Sequence, residues 1–207
     1  MVNRIIYLIA WTSARLFAML YLRLRIKGAH HLPKTGPVLI VANHSSNLDP
    51  PLVAVSFTQR RLRFLGKKEL WNNRLFGWIL TALGSLPVDR SAASDRGAIK
   101  ASLECLKNGE PLLVFPEGTR TSDGTLQPFR DGPARIALMV PGTLIVPLRL
   151  HGAFEAWGRG TSFPKPHRVT VVVGEPFDPS SLATGEEGKK SLYRAVTNEM
   201  FTRISNL

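Results

Sequence analysis

Two short apolar runs that each stop in a polar loop constrain this chain more than any other feature. Val38-Leu39-Ile40-Val41-Ala42 runs into Asn43-His44-Ser45-Ser46-Asn47-Leu48-Asp49, and Leu112-Leu113-Val114-Phe115 is broken by Pro116 ahead of Glu117-Gly118-Thr119-Arg120. Unbroken apolar runs of this length read as strands buried on both faces. An α/β sheet receives its ligand outside the carboxyl ends of such strands. Two polar loops at that edge, one with a histidine and a carboxylate and one with a glycine and an arginine, suggest a base beside a phosphate clamp.

The other segments fit an α/β chain. Asp49-Pro50-Pro51 reads as a helix start with Asp49 as N-cap and Pro50 in the first helical position, and the helix is expected to run to about Gln59. Residues 62–65 and 84–88 are candidate strands, and 67–80 has near-helical apolar spacing weakened by Gly77. Residues 94–108 place Ala98, Ile99, Leu103 and Leu106 on one helical face and stop at Gly109. Further on come a short helix at 133–139, a strand at 144–150, a strand at 168–173 and a last helix at 191–204. Pro147 argues for an edge or a bulge in its strand. Residues 151–167 read as a long loop able to cover a ligand, and 180–190 as a polar linker. Helices alternating with short strands predict a single α/β domain whose sheet is mixed or mostly parallel and flanked by helices.

At 207 residues the chain suits one core. It carries 27 Lys and Arg against 15 Asp and Glu, a formal net charge of +12, which calls for an anionic partner. The cations are dispersed and no recognition helix or aromatic-bearing sheet motif is present, so nucleic acid is not the expected partner. Cys105 is the single cysteine and sits between Leu103 and Leu106, the setting of a core residue; no disulfide is possible within the chain. His30 and His31 are adjacent, His151 and His167 are remote, and no HExxH or CxxC spacing occurs, so no metal site is expected.

Residues 5–22 form an apolar stretch with Arg15 near its middle and Arg4, Arg23 and Arg25 around it. A central arginine costs roughly 2.5–3.5 kcal/mol on insertion scales, and Tyr7, Trp11 and Tyr21 favour an interface. The expectation is an amphipathic helix lying in the membrane plane, with Arg15 toward headgroups and Ile5, Leu8, Ile9, Leu16 and Leu20 toward acyl chains. Residues 1–27 are accordingly read as a membrane-associating helical segment and 28–207 as the catalytic domain, with the fold proper starting at the strand from Val38. An apolar helix folded onto the domain's own core is the alternative.

A histidine base needs an acceptor on its second nitrogen. Asp49 is the obvious acceptor for His44, through a turn at Ser45-Ser46-Asn47, and its competing role is to cap the helix. Ser45 or Ser46 as nucleophile is disfavoured, because no Gly-x-Ser-x-Gly elbow exists. Gly118 permits close backbone approach and Arg120 offers a planar fork suited to phosphate. Glu117 reads as a partner for Arg120 or an acceptor for a substrate hydroxyl. Arg90, past another strand end, is a candidate second cation.

These residues resemble the glycerolipid acyltransferases, in particular the 1-acylglycerol-3-phosphate O-acyltransferase branch. Asn43, His44 and Asp49 match the family's Asn-His-x4-Asp block, 84–90 is similar to its glycine-to-arginine block, 115–120 to its third block, and Ile145-Val146-Pro147-Leu148 to its fourth. The resemblance implies a glycerol-3-phosphate acyltransferase-like fold. It implies that His44, oriented by Asp49, deprotonates a glycerol hydroxyl that attacks an acyl thioester without an acyl-enzyme. It also implies that Arg90, Glu117, Gly118, Thr119 and Arg120 hold the acceptor. No cofactor is implied beyond the thioester co-substrate, acyl-CoA or acyl carrier protein; lysophosphatidic acid and membrane lipids are the implied partners. The implied location is peripheral or monotopic, on the cytoplasmic face of a membrane. Arg130, where lysine is frequent, and Pro87-Val88, where a larger apolar or aromatic residue is common, depart from the family pattern. Competing readings are an acyltransferase or transacylase for another lysolipid, and a non-catalytic basic protein that binds membrane or nucleic acid.

Overall fold

The computed structural model describes residues 4–88, 95–183, 185 and 188–207. Its elements in chain order are α1 (Arg4–Leu20), β1 (Arg25–Lys27), β2 (Val38–Ala42), α2 (Asp49–Ser56), β3 (Arg63–Lys67), α3 (Arg74–Ala82) and β4 (Ser85–Val88), then α4 (Asp95–Lys107), β5 (Pro111–Val114), α5 (Gly132–Leu138), β6 (Leu144–His151), α6 (Ala153–Trp157), β7 (Thr170–Val173) and α7 (Lys189–Ser205).

The strands form one sheet in the order β1-β7-β6-β2-β5-β3-β4. All neighbours are parallel except β6 and β7. β2 lies between β5 and β6, and all five of its residues are buried, as a central parallel strand requires. Its alternation divides the interior into two layers. Val38, Ile40 and Ala42 join the core containing Leu22, Val53 and Phe57, whereas Leu39 and Val41 join the one containing Leu106, Val196 and Met200. Because β2, β5 and β6 run in parallel, their carboxyl ends reach the same edge of the sheet, and the loops after them meet there.

The α/β expectation holds, and several local expectations are corrected. The sheet begins at β1, which pairs with β7, rather than at Val38; Ala18, Leu22 and Leu24 are core residues. The stretch 67–80 is a 3-10 turn at Lys68–Trp71 followed by α3. The Trp71 indole folds back over Gly77 and Gly66, where a Cβ would lie 2.8–2.9 Å from it, and its Nε1 donates to Thr81 Oγ1 at 2.8 Å. The small residue that weakened the helical pattern is the seat of that ring. α2 ends at Ser56 instead of near Gln59, and 151–167 contains the short α6.

β6 is not an edge strand. The bulge alternative describes Pro147, but the extra residue is on the facing chain. Leu148 pairs with Val173 and Ile145 bridges Phe177, so the facing chain takes four steps to β6's three. Gly174 N donates to Pro147 O at 2.8 Å inside this bulge, so the missing proline N–H falls where the ladder is already interrupted.

Candidate active site

His44 lies two residues beyond the end of β2, in a loop held by its own backbone and by three neighbouring elements. Before it, Asn43 reaches across to β6: Nδ2 donates to Leu150 O at 3.1 Å and Oδ1 accepts from Leu150 N at 2.8 Å. After it, Ser46 Oγ donates to Trp157 O of α6 at 2.7 Å and accepts from Leu48 N at 3.1 Å. Ser46 is thus committed to positioning the loop.

Asp49 is the first residue of α2, and the cap position belongs to Leu48, which makes no side-chain cap bond. The carboxylate turns back into the loop instead. Asp49 Oδ2 meets His44 Nδ1 at 2.8 Å and accepts from Ser45 N at 2.6 Å and Ser46 N at 2.7 Å. The side chain of Asp49 is fully buried, a placement a carboxylate tolerates when several donors face it. The His44 side chain keeps 20% exposure. Its ring stacks on Phe115 with centroids 4.0 Å apart and planes 16° from parallel, which fixes the imidazole in a second direction. Asp49 occupies Nδ1, so Nε2 is the nitrogen left to meet an incoming hydroxyl.

The loop after β5 fastens the backbone of this same histidine. Glu117 Oε1 accepts from His44 N at 2.7 Å, and Thr121 N donates to His44 O at 2.9 Å. Oε2 of Glu117 accepts from Gln127 N at 3.3 Å. Among the described residues Glu117 makes no ion pair with Arg120, the partner one reading of the sequence gave it. Burial pushes its carboxyl up to about 7; the amides of His44 and Gln127 oppose that rise and nearby Asp49 adds to it. The sequence singled out Glu117 but offered no signal of this role, because an amide 73 positions away leaves no periodic trace.

Gly118 has φ +76, and a Cβ there would lie 3.0 Å from Arg130 Nε, so the Arg130 guanidinium packs over the glycine. Arg130 N also donates to Pro116 O at 3.0 Å. Thr119 is exposed and Arg120 half-buried, on the same turn. Arg130 therefore packs on the glycine next to Glu117, the residue that holds the His44 amide, and Arg120 makes no salt bridge among the described residues. Arg90 lies outside the described residues. Burial pushes the Cys105 thiol up to about 12, the state of an inert core thiol. No cluster of three or more His, Cys, Asp or Glu able to hold a metal occurs among the described residues. A cavity of about 460 Å³ opens beside Asn43 and Ser45 and is lined further by Arg149, His151 and Phe154, but His44 does not line it.

Residues 23–151 match the family model described as Acyltransferase. The chain is 27% identical over 183 residues to the 1-acyl-sn-glycerol-3-phosphate acyltransferase of Bacillus subtilis, covering 88% of this chain and 87% of that protein. It is 31% identical over 173 residues to the Streptococcus pneumoniae protein of that name, covering 80% and 60% respectively. With the chloroplastic protein of that name from Arabidopsis thaliana it shares 28% identity over 81% of this chain, and it spans about half, 46%, of that relative's length. The crystal structure of the 1-acyl-sn-glycerophosphate acyltransferase of Thermotoga maritima superposes with a TM-score of 0.73 at 25% identity, covering 100% of this chain and 84% of that one.

Proposed function

Because the chain belongs to the acyltransferase family, we propose that it moves a fatty acyl group from a thioester, acyl-CoA or acyl carrier protein, to the free sn-2 hydroxyl of 1-acylglycerol-3-phosphate, giving phosphatidic acid. The observation that carries this reading is the contact of His44 Nδ1 with Asp49 Oδ2 at 2.8 Å, on an imidazole still reachable from solvent.

The chemistry follows from that pair. Nε2 of His44 takes the proton of the glycerol hydroxyl as its oxygen attacks the thioester carbonyl carbon. The imidazolium is stabilised across the ring by Asp49. The tetrahedral intermediate collapses by breaking the carbon–sulfur bond, and the imidazolium returns its proton to the departing sulfur. Since the attacking oxygen belongs to the acceptor, no protein nucleophile is required, in keeping with Ser46 Oγ being bonded to Trp157 O. Arg120 and Arg130 supply charge for the acceptor phosphate at the turn of Gly118 and Thr119, and Arg90 is a further candidate cation. Glu117 serves this site by holding the His44 amide.

The same reading places the protein on a lipid surface, peripheral or monotopic at the cytoplasmic face. No helix among the described residues is long and apolar enough to cross a membrane. α1 nevertheless presents Ile5, Leu8, Ile9, Leu16 and Leu20 outward at 50–78% exposure, an apolar stripe suited to the headgroup boundary. Arg15 lies off that face but turns inward to α2, rather than toward headgroups as the sequence led us to expect. Its guanidinium donates to Val55 O at the end of α2, and Trp11 Nε1 donates to Ala54 O at 3.2 Å.

The test is to incubate the purified protein and vesicles with a panel of lysolipids and both thioester donors. Phosphatidic acid formed from lysophosphatidic acid in preference to the other acceptors is the expected outcome. Faster acylation of another lysolipid would move the protein to that substrate, and no transfer from either donor would overturn the assignment.

A further inference from the structure

The two most exposed large apolar side chains among the described residues are Phe163 at 79% and Leu20 at 78%, and they belong to neighbouring parts of the surface. Tyr21 OH donates to Pro164 O at 3.0 Å, Val169 N donates to Leu22 O at 3.0 Å, and Arg25 N donates to Val169 O at 2.9 Å, so the chain after Phe163 runs alongside the end of α1. The Phe17 and Tyr21 rings stack there at 5.1 Å. The outward apolar face of α1 thus continues sideways onto the segment 158–168.

That segment is held in shape from within. Trp157 Nε1 donates to Thr161 O at 3.0 Å, Thr161 Oγ1 to Gly158 O at 2.8 Å, and Lys165 N to Ala156 O at 2.7 Å. Its sequence, Gly-Arg-Gly-Thr-Ser-Phe-Pro-Lys-Pro-His-Arg, carries Arg159, Lys165 and Arg168 and no acidic residue, and Arg23 and Arg25 are exposed next to it. An aromatic ring held in water among cations is costly unless a partner takes it up. A second copy of a chain with net charge +12 would bring like charges face to face, whereas an anionic bilayer takes the ring into its acyl boundary and the cations at its headgroups.

We propose that the segment 158–168 is a second membrane-contacting element, which inserts Phe163 beside the apolar face of α1 while Arg159, Lys165 and Arg168 meet anionic headgroups. This rests on the reading of α1 as the lipid-facing helix and extends it to a part of the chain remote in sequence. The bond from Ser46 Oγ to Trp157 O joins the root of this segment to the loop carrying His44, so the contact seats the active-site mouth on the surface where the acceptor lies.

The experiment is flotation of the full chain with phosphatidylcholine vesicles, with and without phosphatidylglycerol, for three variants. Phe163→Ser should weaken binding to anionic vesicles about tenfold while leaving the melting temperature and turnover of a short-chain, water-soluble acceptor unchanged. Arg159→Gln with Lys165→Gln should weaken binding to anionic vesicles and not to neutral ones. Leu8→Ser with Leu16→Ser tests the α1 reading by itself. Loss in that variant with none in Phe163→Ser overturns the second contact and keeps the first. Loss in Phe163→Ser alone keeps the second contact and removes the first, and no loss in either overturns both. A dimer in sedimentation that Phe163→Ser dissociates, with vesicle binding intact, would assign the segment to self-association and overturn the proposal.

Discussion

Asp49 Oδ2 gathers three donors from a turn of five residues, and all three belong to the stretch it closes, His44 to Ser46. One oxygen therefore sets the loop backbone and the imidazole at once. Asp49→Asn keeps size and one acceptor oxygen but removes the negative charge that faces the imidazole, so it should depress turnover severely with a small change in stability; near-normal activity would reduce Asp49 to a loop clasp. Glu117 behaves differently, because burial favours its neutral form. Its folded value, about 7, lies above the ordinary 4.5, so the stability it contributes is complete below 4.5 and is lost as pH rises through 7. Glu117→Gln retains an acceptor for His44 N and cannot ionise. Melting temperatures measured from pH 5 to 8 should fall with pH in the parent and be flatter in this variant, and parallel curves would contradict the assignment. For Arg120, Lys keeps the charge but not the fork. Arg120→Lys should raise KM for the acceptor and leave that for the thioester donor near its parent value, with separate titrations as the check.

At the scale of elements, α1 is fastened to the ends of two helices. Arg15 and Trp11 meet the last carbonyls of α2, while Arg61 stacks over Tyr7 at 4.4 Å and donates to Thr81 O and Ala82 O at the end of α3. Cations at helix carboxyl ends satisfy orphan carbonyls and oppose the macrodipole. Arg15→Met should destabilise the fold by about 1–2 kcal/mol, at the low end for a charged hydrogen bond because the side chain is partly exposed. An unchanged melting temperature would refute the clasp. Gly84 has φ +98, and a Cβ would sit 2.2 Å from Leu62 O, so Gly84→Ala should cost about 2 kcal/mol or more and lower Tm by roughly 4–8 °C.

These elements also show what the sequence can carry. α4 was legible because its apolar period is regular and Gly109, at φ +71, stops it; β2 was legible because every residue is apolar. β1 has three residues, too few to show alternation, and exists because β7 pairs with it from far along the chain. The inward turn of Arg15 was hidden for a related reason. Periodicity shows that a helix has two faces but not which face meets the carbonyls of α2. His44 and the turn 117–120 stand out in the sequence because each follows a strand end, and Asp49 because it opens the next helix, whereas the clasp of Glu117 and Thr121 on the His44 backbone and the packing of Arg130 on Gly118 arise from tertiary approach alone.

For the whole molecule, the parallel run of β2, β5 and β6 brings His44, the turn 117–120 and α6 to one edge of the sheet, while α1 and the segment 158–168 give that molecule an apolar, basic side. α1 is a structural part of the fold as well as a proposed lipid contact. Removing residues 1–20 takes Ala18 from the core and strips Arg15 from α2, so the truncated chain should melt well below the parent and its vesicle binding would report unfolding along with anchoring. Surface substitutions on α1 separate the two effects. The proposed transfer depends above all on His44 acting as the base. The measurement that tests it most directly is the turnover of folded His44→Ala with lysophosphatidic acid and an acyl thioester, with the fold verified by circular dichroism. A fall of roughly 10²–10⁴ in kcat at an unchanged melting temperature is predicted, and a loss of only a few-fold would contradict the account.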